Sequence, residues 1–341
     1  MQVGGRILGQ GVFGCTFDPA PRCAGGSVFK TIGGLPAVGK VTSEDIADEL
    51  GVGKAIMSLP MATQYFALPS VGCKIGEEGV KDPDAKSCRV ITESGEGTTF
   101  SMLIMPAAGD QLLKWSLNLP RLATEYRRTF VHLLEGMIIY QKAGYVHNDI
   151  HMGNVLVDDK DVARYIDFGL AFKIADVKTW EDSNLGTRFR PKYIWQAPEV
   201  HTWRMVKNGV RVVDGVKQMK DINVELGRIE HQFPSRVPAE AALTALVKTS
   251  PEFVNMDGAA FVRRFGKKFD SWRLGLLMWM LWDDLLQWSG FMLTDIWSTR
   301  DVIRRALGGL TDFDPRSRLT ATEALLILDP ANRLASAPGP A

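Results

Sequence analysis

Cysteine is scarce in this sequence. Cys15, Cys23, Cys73 and Cys88 are the only four in 341 residues, and no two form a C-x-x-C pair. Free thiols in a reducing compartment are the plain reading, with a metal site or a disulfide in the N-terminal region as alternatives. Surplus charge is also missing: 40 basic residues meet 39 acidic ones, so nothing argues for a nucleic-acid or membrane-surface partner. Met1-Gln2-Val3-Gly4-Gly5-Arg6 carries no apolar signal stretch, and Gln2 does not fit N-myristoylation, so a cytoplasmic chain is expected. A long uninterrupted apolar run is absent too. The nearest approach, Leu274 to Leu293, contains Asp283 and Asp284, which makes a buried core helix the better reading than a membrane span. No internal repeat is visible.

What is present is a chain of two characters, 45% hydrophobic overall. The first hundred residues are rich in glycine and short β-type runs: Arg6–Leu8, Gly11–Phe13, Ala37–Val41, Arg89–Thr92 and Phe100–Met105. These predict an antiparallel sheet, interrupted by one helix with Ser43 as N-cap, Glu44 and Asp45 in its first turn, and apolar Ile46, Leu50, Ala55 and Ile56. Helical spacing dominates after Pro106, over Leu112–Leu117, Leu122–Tyr140 and segments near 240–250, 270–290, 299–307 and 320–328. An α+β chain is expected, with a small β-rich lobe over 1–105, a larger helical lobe over 106–334 and a disordered tail over 335–341.

Three groups of residues carry chemistry. Gly9-Gln10-Gly11-Val12-Phe13-Gly14 is a G-x-G-x-x-G string, which opens a Rossmann helix, covers nucleotide phosphates or merely turns a hairpin. Strand-like Cys15-Thr16-Phe17 follows instead of a helix, which favours a glycine-rich hairpin whose bare backbone approaches phosphate oxygens. Lys40, in Ala37–Val41, is either a solvated strand residue or the cation that neutralises those phosphates. Its best acidic partner is Glu49, with Glu44 as runner-up. The most specific group is His147-Asn148-Asp149-Ile150-His151-Met152-Gly153-Asn154, followed by Asp167-Phe168-Gly169. Phosphoryl transfer needs a group that orients the attacking hydroxyl and oxygen ligands for a divalent ion. Asp149 fits the first need, and Asn154 with Asp167 fits the second.

These strings, in this order, resemble the protein-kinase superfamily. Gln196-Ala197-Pro198-Glu199 is similar to the end of a kinase activation segment, and Asp270-Ser271-Trp272-Arg273-Leu274-Gly275 to the start of a central buried helix. Asp314 to Ala321 is similar to the late motif whose arginine, here Arg318, pairs with Glu199. The resemblance implies a bilobal protein-kinase-like fold and an ATP-dependent serine/threonine kinase acting on a protein, with Mg²⁺ as the ion and Mn²⁺ as its substitute. It implies Met105, Pro106 and Ala108 at the adenine, and an activation segment over Leu170–Tyr193 with Thr179, Ser183 and Thr187. A narrower resemblance, to kinases encoded by nucleocytoplasmic large DNA viruses, rests on Gly14-Cys15, Pro19, Cys23, Lys40, Tyr65-Phe66, Cys73-Lys74-Ile75 and Lys268-Phe269-Asp270. It implies a host-cytoplasm or virion setting and a cluster of Cys15, Cys23 and Cys73.

Three departures qualify the resemblance. Asn148 replaces the arginine usual before the catalytic aspartate, which puts a phosphorylation-switched activation loop in doubt. His151, assigned to the catalytic set, and Gly153 replace the usual lysine and its neighbour, as in small-molecule phosphotransferases that act on aminoglycosides and choline. Residues 200–269 form an insertion, expected as a surface subdomain. A protein kinase is the leading reading and a small-molecule phosphotransferase the second. A pseudokinase scaffold is third, because Lys40, Asp149, Asn154 and Asp167 are all retained. Oligomeric state is not legible.

Overall fold

The computed structural model describes residues 5–11, 14–76, 80, 85–95, 97–178, 189–233 and 236–336. They fall into two compact units: Met1–Asp110 with Leu156–Gly169, and Gln111–Val155 with Leu170–Ala341.

The first unit is built on strands β1 (Arg6–Gln10), β2 (Cys15–Asp18), β3 (Thr31–Ile32), β4 (Leu35–Thr42), β5 (Val71–Lys74) and β6 (Ser101–Pro106). They pair antiparallel in the order β1-β2-β4-β6-β5, with β3 against β4. Side chains alternate across a strand, and both faces of β6 are covered. Met102 and Ile104 face a core of Cys15, Phe17, Val41 and Phe100. Leu103 and Met105 face the other way with Val38, against Ile46 and Leu50 at the helix α1 (Ala47–Met57). Lys40 pairs with Leu103 across the strands and shares that helix-side face.

Two expectations fail here for local reasons. The helix begins at Ala47, later than Ser43, because Thr42 Oγ1 accepts from the Glu44 amide (3.0 Å) and Asp45 Oδ1 from the Ala47 amide (3.0 Å). Its first turn therefore carries Asp48 and Glu49 in place of Glu44 and Asp45. Arg89–Thr92, expected as a strand, is a helical turn whose Ile91 and Thr92 amides both return to the Cys88 carbonyl. Gly11 is described, while Val12 and Phe13 of the glycine-rich string lie outside the described residues.

The free-thiol reading is overturned. Cys15 is bonded to Cys88 and Cys23 to Cys73, with Cα–Cα distances of 6.0 and 5.8 Å. All four cysteines enter one core, Cys73 partly buried, so the cluster includes Cys88 beside the three that the viral resemblance implied, and the disulfide alternative is the one the structure adopts. The second bridge closes a loop nested within the first, since residues 23 and 73 lie between 15 and 88.

The second unit is helical. Leu119–Lys142 starts at Asn118, whose side chain accepts from the Arg121 amide. Gly258–Gln287 is its axis, a 30-residue helix with Trp272, Trp279 and Trp282 fully buried. Its apolar girdle is closed by the Tyr126 hydroxyl, which donates to the Met278 carbonyl at 2.6 Å. The core-helix reading of Leu274–Leu293 holds up to Gln287. Met292 and Leu293 follow it in a short turn and are exposed. Asp270 lies twelve residues inside this helix, whereas its start was expected there. Among the described residues no helix is long and apolar enough to cross a membrane.

The insertion is not a surface appendage. It folds into the helices Pro198–Lys207, Val212–Ile222, Val224–Gln232, Ala239–Thr249 and Pro251–Asn255, and its last part is the beginning of the axial helix. Leu226, Ile229, Leu243 and Leu246 are buried, and Trp279 Nε1 donates to Gln232 Oε1 at 2.6 Å. Of the tail expected to be disordered, Ala335 and Ser336 close a helical turn from Arg333, and 337–341 lie outside the described residues.

The disulfides give the first unit a measurable dependence on redox state. Closing a loop of such length contributes about 4 kcal/mol through the unfolded chain, and a nested second bridge contributes less than that. Reduction should lower the thermal midpoint of the native protein, and Cys15→Ser/Cys88→Ser should lower it similarly without reductant. An unchanged unfolding curve in dithiothreitol contradicts this.

Candidate functional site

The chemical residues form two sets, one in each unit. In the first, Lys40 extends from the helix-side face of β4, and Glu49 stands in the first turn of α1. Lys40 Nζ donates to Glu49 Oε1 and Oε2 at 2.9 and 3.0 Å. The ammonium also donates to Asp167 Oδ1 at 3.0 Å. Asp167 is brought there by the segment Ala163–Tyr165, whose Tyr165 carbonyl accepts from the Ala67 amide. Phe168, the next residue, is itself anchored edge-on against Phe66. Asp167 has φ 57, left-handed backbone that an aspartate tolerates better than most residues.

One ammonium thus serves two carboxylates. Burial alone would depress the Lys40 ammonium, but Asp167 and Glu49 outweigh it and hold the group above its ordinary value. Burial raises the Glu49 carboxyl, with Asp167's charge adding to it, against the pull of Lys40. The surplus negative charge suits a further cation, and the Asp167 carboxylate is the hard oxygen ligand that a divalent ion such as Mg²⁺ takes. Among the described residues no group of three His, Cys, Asp or Glu side chains could hold a metal alone.

The remaining nucleotide candidates lie in the same unit. Gly9 and Gly11 have open space where a side chain would stand, whereas a Cβ on Gly14 would come within 2.3 Å of the Val41 carbonyl oxygen. Of the three, Gly14 is therefore the one demanded by packing, and the Gly11 amide donates to its carbonyl at 2.8 Å. Met105 and Pro106 end β6, Ala107 donates to the Pro36 carbonyl at 2.8 Å, and Ala108 is buried.

The second set is the loop after the short strand Tyr145–Val146. Asp149 Oδ2 accepts from Asn154 Nδ2 at 3.0 Å, and the same amide nitrogen donates to the Asp149 carbonyl at 2.9 Å. Both Asn154 donors are thereby engaged, which leaves its Oδ1 as the acceptor that a metal ion would use. Asp149 Oδ1 accepts from the Tyr193 hydroxyl at 2.8 Å. His151 Nε2 stands 3.7 Å from Oδ2, beyond hydrogen-bonding distance, so its effect is electrostatic. Burial pushes the Asp149 carboxyl up, but His151, Tyr193 and, further off, Arg273 outweigh it and hold Asp149 well below the usual carboxylate range. Tyr193 responds in the opposite sense, pushed up to about 12 by burial and by Asp149. A carboxylate held so low stays ionised and accepts hydrogen bonds firmly, but it is a weak base.

His151 and Gly153 are one feature. His151 Nδ1 accepts from the Gly153 amide at 3.0 Å, and a Cβ on residue 153 would meet the ring carbon Cε1 at 2.8 Å. The glycine makes room for the imidazole, and the accepting Nδ1 assigns the proton to Nε2, on the Asp149 side.

The loop is moulded by the axial helix. Asp270 Oδ2 accepts from the His147 amide (2.7 Å) and the Tyr140 hydroxyl (3.0 Å), while Oδ1 accepts from the Asn148 amide (3.0 Å). Glu199 and Arg318 form the expected pair, doubly bonded at 2.7 and 2.8 Å and fully buried. The sequence reading missed Tyr193 and Arg273. Arg273 had a signal, since it lies one helical turn from Asp270 while residue 148 lacks an arginine. Thr179, Ser183 and Thr187 lie outside the described residues.

Residues 109–209 match the family of protein tyrosine and serine/threonine kinases. That stretch includes Asp149, Asn154, Asp167 and Glu199, with Lys40 and Arg318 outside it. A relative from Dictyostelium discoideum, serine/threonine-protein kinase 4 homolog A, is 26% identical over 129 residues, 36% of this chain and 27% of that protein. The chain thus matches about a quarter of that relative's length. With the α+β, bilobal kinase-like fold, these findings support the protein-kinase superfamily for this chain, a superfamily that generally uses ATP and a divalent metal.

The pairing of Lys40 with Glu49 yields a direct test. Glu49→Gln should lower phosphotransfer on the order of 10²-fold, the equivalent of losing 2–3 kcal/mol of positioning, while Glu44→Gln stays near wild type. Equal losses contradict the assignment. Because the folded ammonium is held up, its stabilisation is complete below lysine's ordinary 10.5 and is lost only as pH rises through the raised value. The Lys40 ammonium should therefore remain charged across neutral pH.

Proposed function

We propose that this chain is a serine/threonine protein kinase that transfers the γ-phosphoryl group of ATP to a protein hydroxyl. The observation that carries the reading is Asp149: an ionised carboxylate fixed by Asn154, with one oxygen in contact with a hydroxyl. That hydroxyl is the chain's own Tyr193, and a carboxylate that accepts from it has the chemistry to accept from an acceptor alcohol as well. In this reading Lys40, oriented by Glu49, and the backbone of Gly9, Gly11 and Gly14 hold the nucleotide phosphates. Met105, Pro106 and Ala108 meet the adenine. Asn154 and Asp167 hold Mg²⁺, which supplies charge neutralisation at the phosphates.

Asp149 orients the acceptor hydroxyl and receives its proton late. The bond from the γ-phosphorus to the ADP oxygen breaks as the bond to the acceptor oxygen forms. The low proton affinity of Asp149 suits this order, because positioning and charge supply most of the rate in such transfers. His151 Nε2 carries the hydrogen that faces this carboxylate and helps to fix its charge. Activity without phosphorylation of the activation segment belongs to the same reading, since Asn148 cannot bind a phosphoryl group as an arginine does.

Serine/threonine specificity is drawn from the Dictyostelium relative's kind, and the large-DNA-virus type rests on the short strings around the cysteines and Lys40. A cytoplasmic site of action, in a host cell or virion for a viral protein, goes with it. The two disulfides narrow that site to one in which thiols become oxidised. The second reading, a small-molecule phosphotransferase, drew on His151 and Gly153, and their mutual fit gives that pair a local reason independent of substrate.

The test is radiolabelled ATP with casein, a basic protein, choline and an aminoglycoside as acceptors. Label should enter protein on Ser or Thr, and Asp149→Asn should reduce it by roughly 10³-fold or more. Transfer to the alcohols alone overturns the protein reading, and no transfer at all favours a pseudokinase.

A further inference from the structure

Asn148 occupies the position where the resemblance expects an arginine, yet a guanidinium is still in place beside it. It comes from the axial helix. Arg273 is 1% exposed, and its Nη1 donates to Asn148 Oδ1 at 2.8 Å while its Nε donates to the Trp195 carbonyl at 3.0 Å. We infer that Arg273 is a positioning residue that locks the catalytic loop to the segment Tyr193–Trp195, so that Asp149 is set without any phosphoryl group. This rests on the kinase reading above for its functional meaning, though the contacts themselves do not.

The connections form a closed ring. From Arg273 one path runs through the Asn148 side chain to Asp149, the next residue. The other runs through the Trp195 carbonyl and back along the chain to Tyr193, whose hydroxyl donates to Asp149 Oδ1. Both paths end on the same carboxylate, and the Arg273 side chain spans them. Its planar fork suits this task, since two donors leave at fixed angles toward two acceptors.

Plain packing does not account for the residue. Asp270, one turn away, approaches Arg273 only at 3.8 Å, because both its oxygens already accept from the His147 and Asn148 amides and the Tyr140 hydroxyl. Asp270 therefore balances the charge without holding the guanidinium. Burial lowers Arg204 to about 10, with repulsion from Arg190 and, to a smaller extent, from Arg273 adding to it. An apolar side chain would avoid that repulsion and the desolvation of a buried cation. What an apolar side chain could not do is hold Asn148 in its left-handed conformation, φ 63, while gripping Trp195. A phosphate-dependent arginine waits for its anion. Arg273 has its acceptors within the chain.

The experiment compares wild type, Arg273→Lys, Asn148→Gly and the double variant. Lysine keeps the charge but has no fork, and glycine accepts φ 63 without supplying an acceptor. Each single variant should lower kcat for a protein acceptor by about 10- to 100-fold, with KM for ATP changed less than about threefold. The double variant should lose about as much as Arg273→Lys alone, because Asn148→Gly removes a link that Arg273→Lys has already broken. Hydrogen exchange should quicken in peptides covering 145–155 and 190–197 in both variants and stay unchanged over 35–57, around Lys40 and Glu49. Phosphatase-treated wild type should keep its turnover.

The proposal is overturned if either folded variant keeps wild-type kcat and exchange, if the losses add, or if phosphatase abolishes activity. Should Arg273→Lys fail to fold, Asn148→Gly decides alone. If wild type phosphorylates no protein, the kinase reading fails, and the exchange comparison still decides whether Arg273 locks the two segments.

Discussion

The carboxylate of Asp270, fully buried in the middle of the axial helix, is the interaction on which the second unit's chemistry hangs. The loop after Val146 is irregular, and its amides at His147 and Asn148 are buried where neither helix nor sheet offers an acceptor. A buried amide without a partner costs about as much as a lost hydrogen bond. Asp270 supplies both partners and takes the Tyr140 hydroxyl as well, so its own charge is solvated by three protein donors. A charge buried at that depth is tolerable only under such conditions. The outcome is a loop whose position is set by a rigid helix in place of its own sequence, so that Asp149 and Asn154 project from a fixed base.

The first unit solves a parallel problem with a sheet. Lys40 sits on a strand whose two neighbours fix its register, and Glu49 sits on the helix packed against that same face. Strand and helix are separately rigid, and the ammonium ties them together. A second carboxylate, Asp167, arrives on a segment held by Tyr165 and Phe168. In this first set Lys40 and Glu49 stand on regular elements, where side-chain position is most tightly controlled, and Asp167 alone stands on irregular backbone, whereas the second set lies wholly on the loop that Asp270 holds. The disulfide core packs on the opposite face of the sheet from Lys40.

The contacts within each set were legible where candidate residues sit at narrow spacings. The structure brings Asp149 to Asn154 and Lys40 to Asp167, and of the two acidic candidates for Lys40 it is Glu49, placed before the apolar continuation of the helix, that makes the contact. The partnership of Glu199 with Arg318, 119 positions apart, was legible only through resemblance. Other features were hidden for physical reasons. Cysteines spaced 73 and 50 residues apart give no local sign of pairing, since bonding depends on tertiary proximity. The late start of α1 came from Thr42 and Asp45, whose side chains compete with the helix for backbone amides. The extent of the axial helix was concealed because its first turns lie in the insertion, where no familiar string marks them.

The departures from the kinase pattern look like losses when each position is judged alone. In space they come in compensated pairs. Gly153 is small because the His151 ring lies where a side chain would be, and that ring accepts from the Gly153 amide in return. Asn148 lacks a cation because Arg273 brings one from the helix, and asparagine, unlike most residues, is at ease in the left-handed conformation the loop imposes there. In both pairs one residue supplies what its partner gave up: space in one, charge in the other. Replacing either member alone with the usual residue would then insert a side chain into occupied space or place a second guanidinium beside the first. The geometry at Asp149 is accordingly a property of the pairs, and single positions in this loop carry little meaning without the residue that answers them.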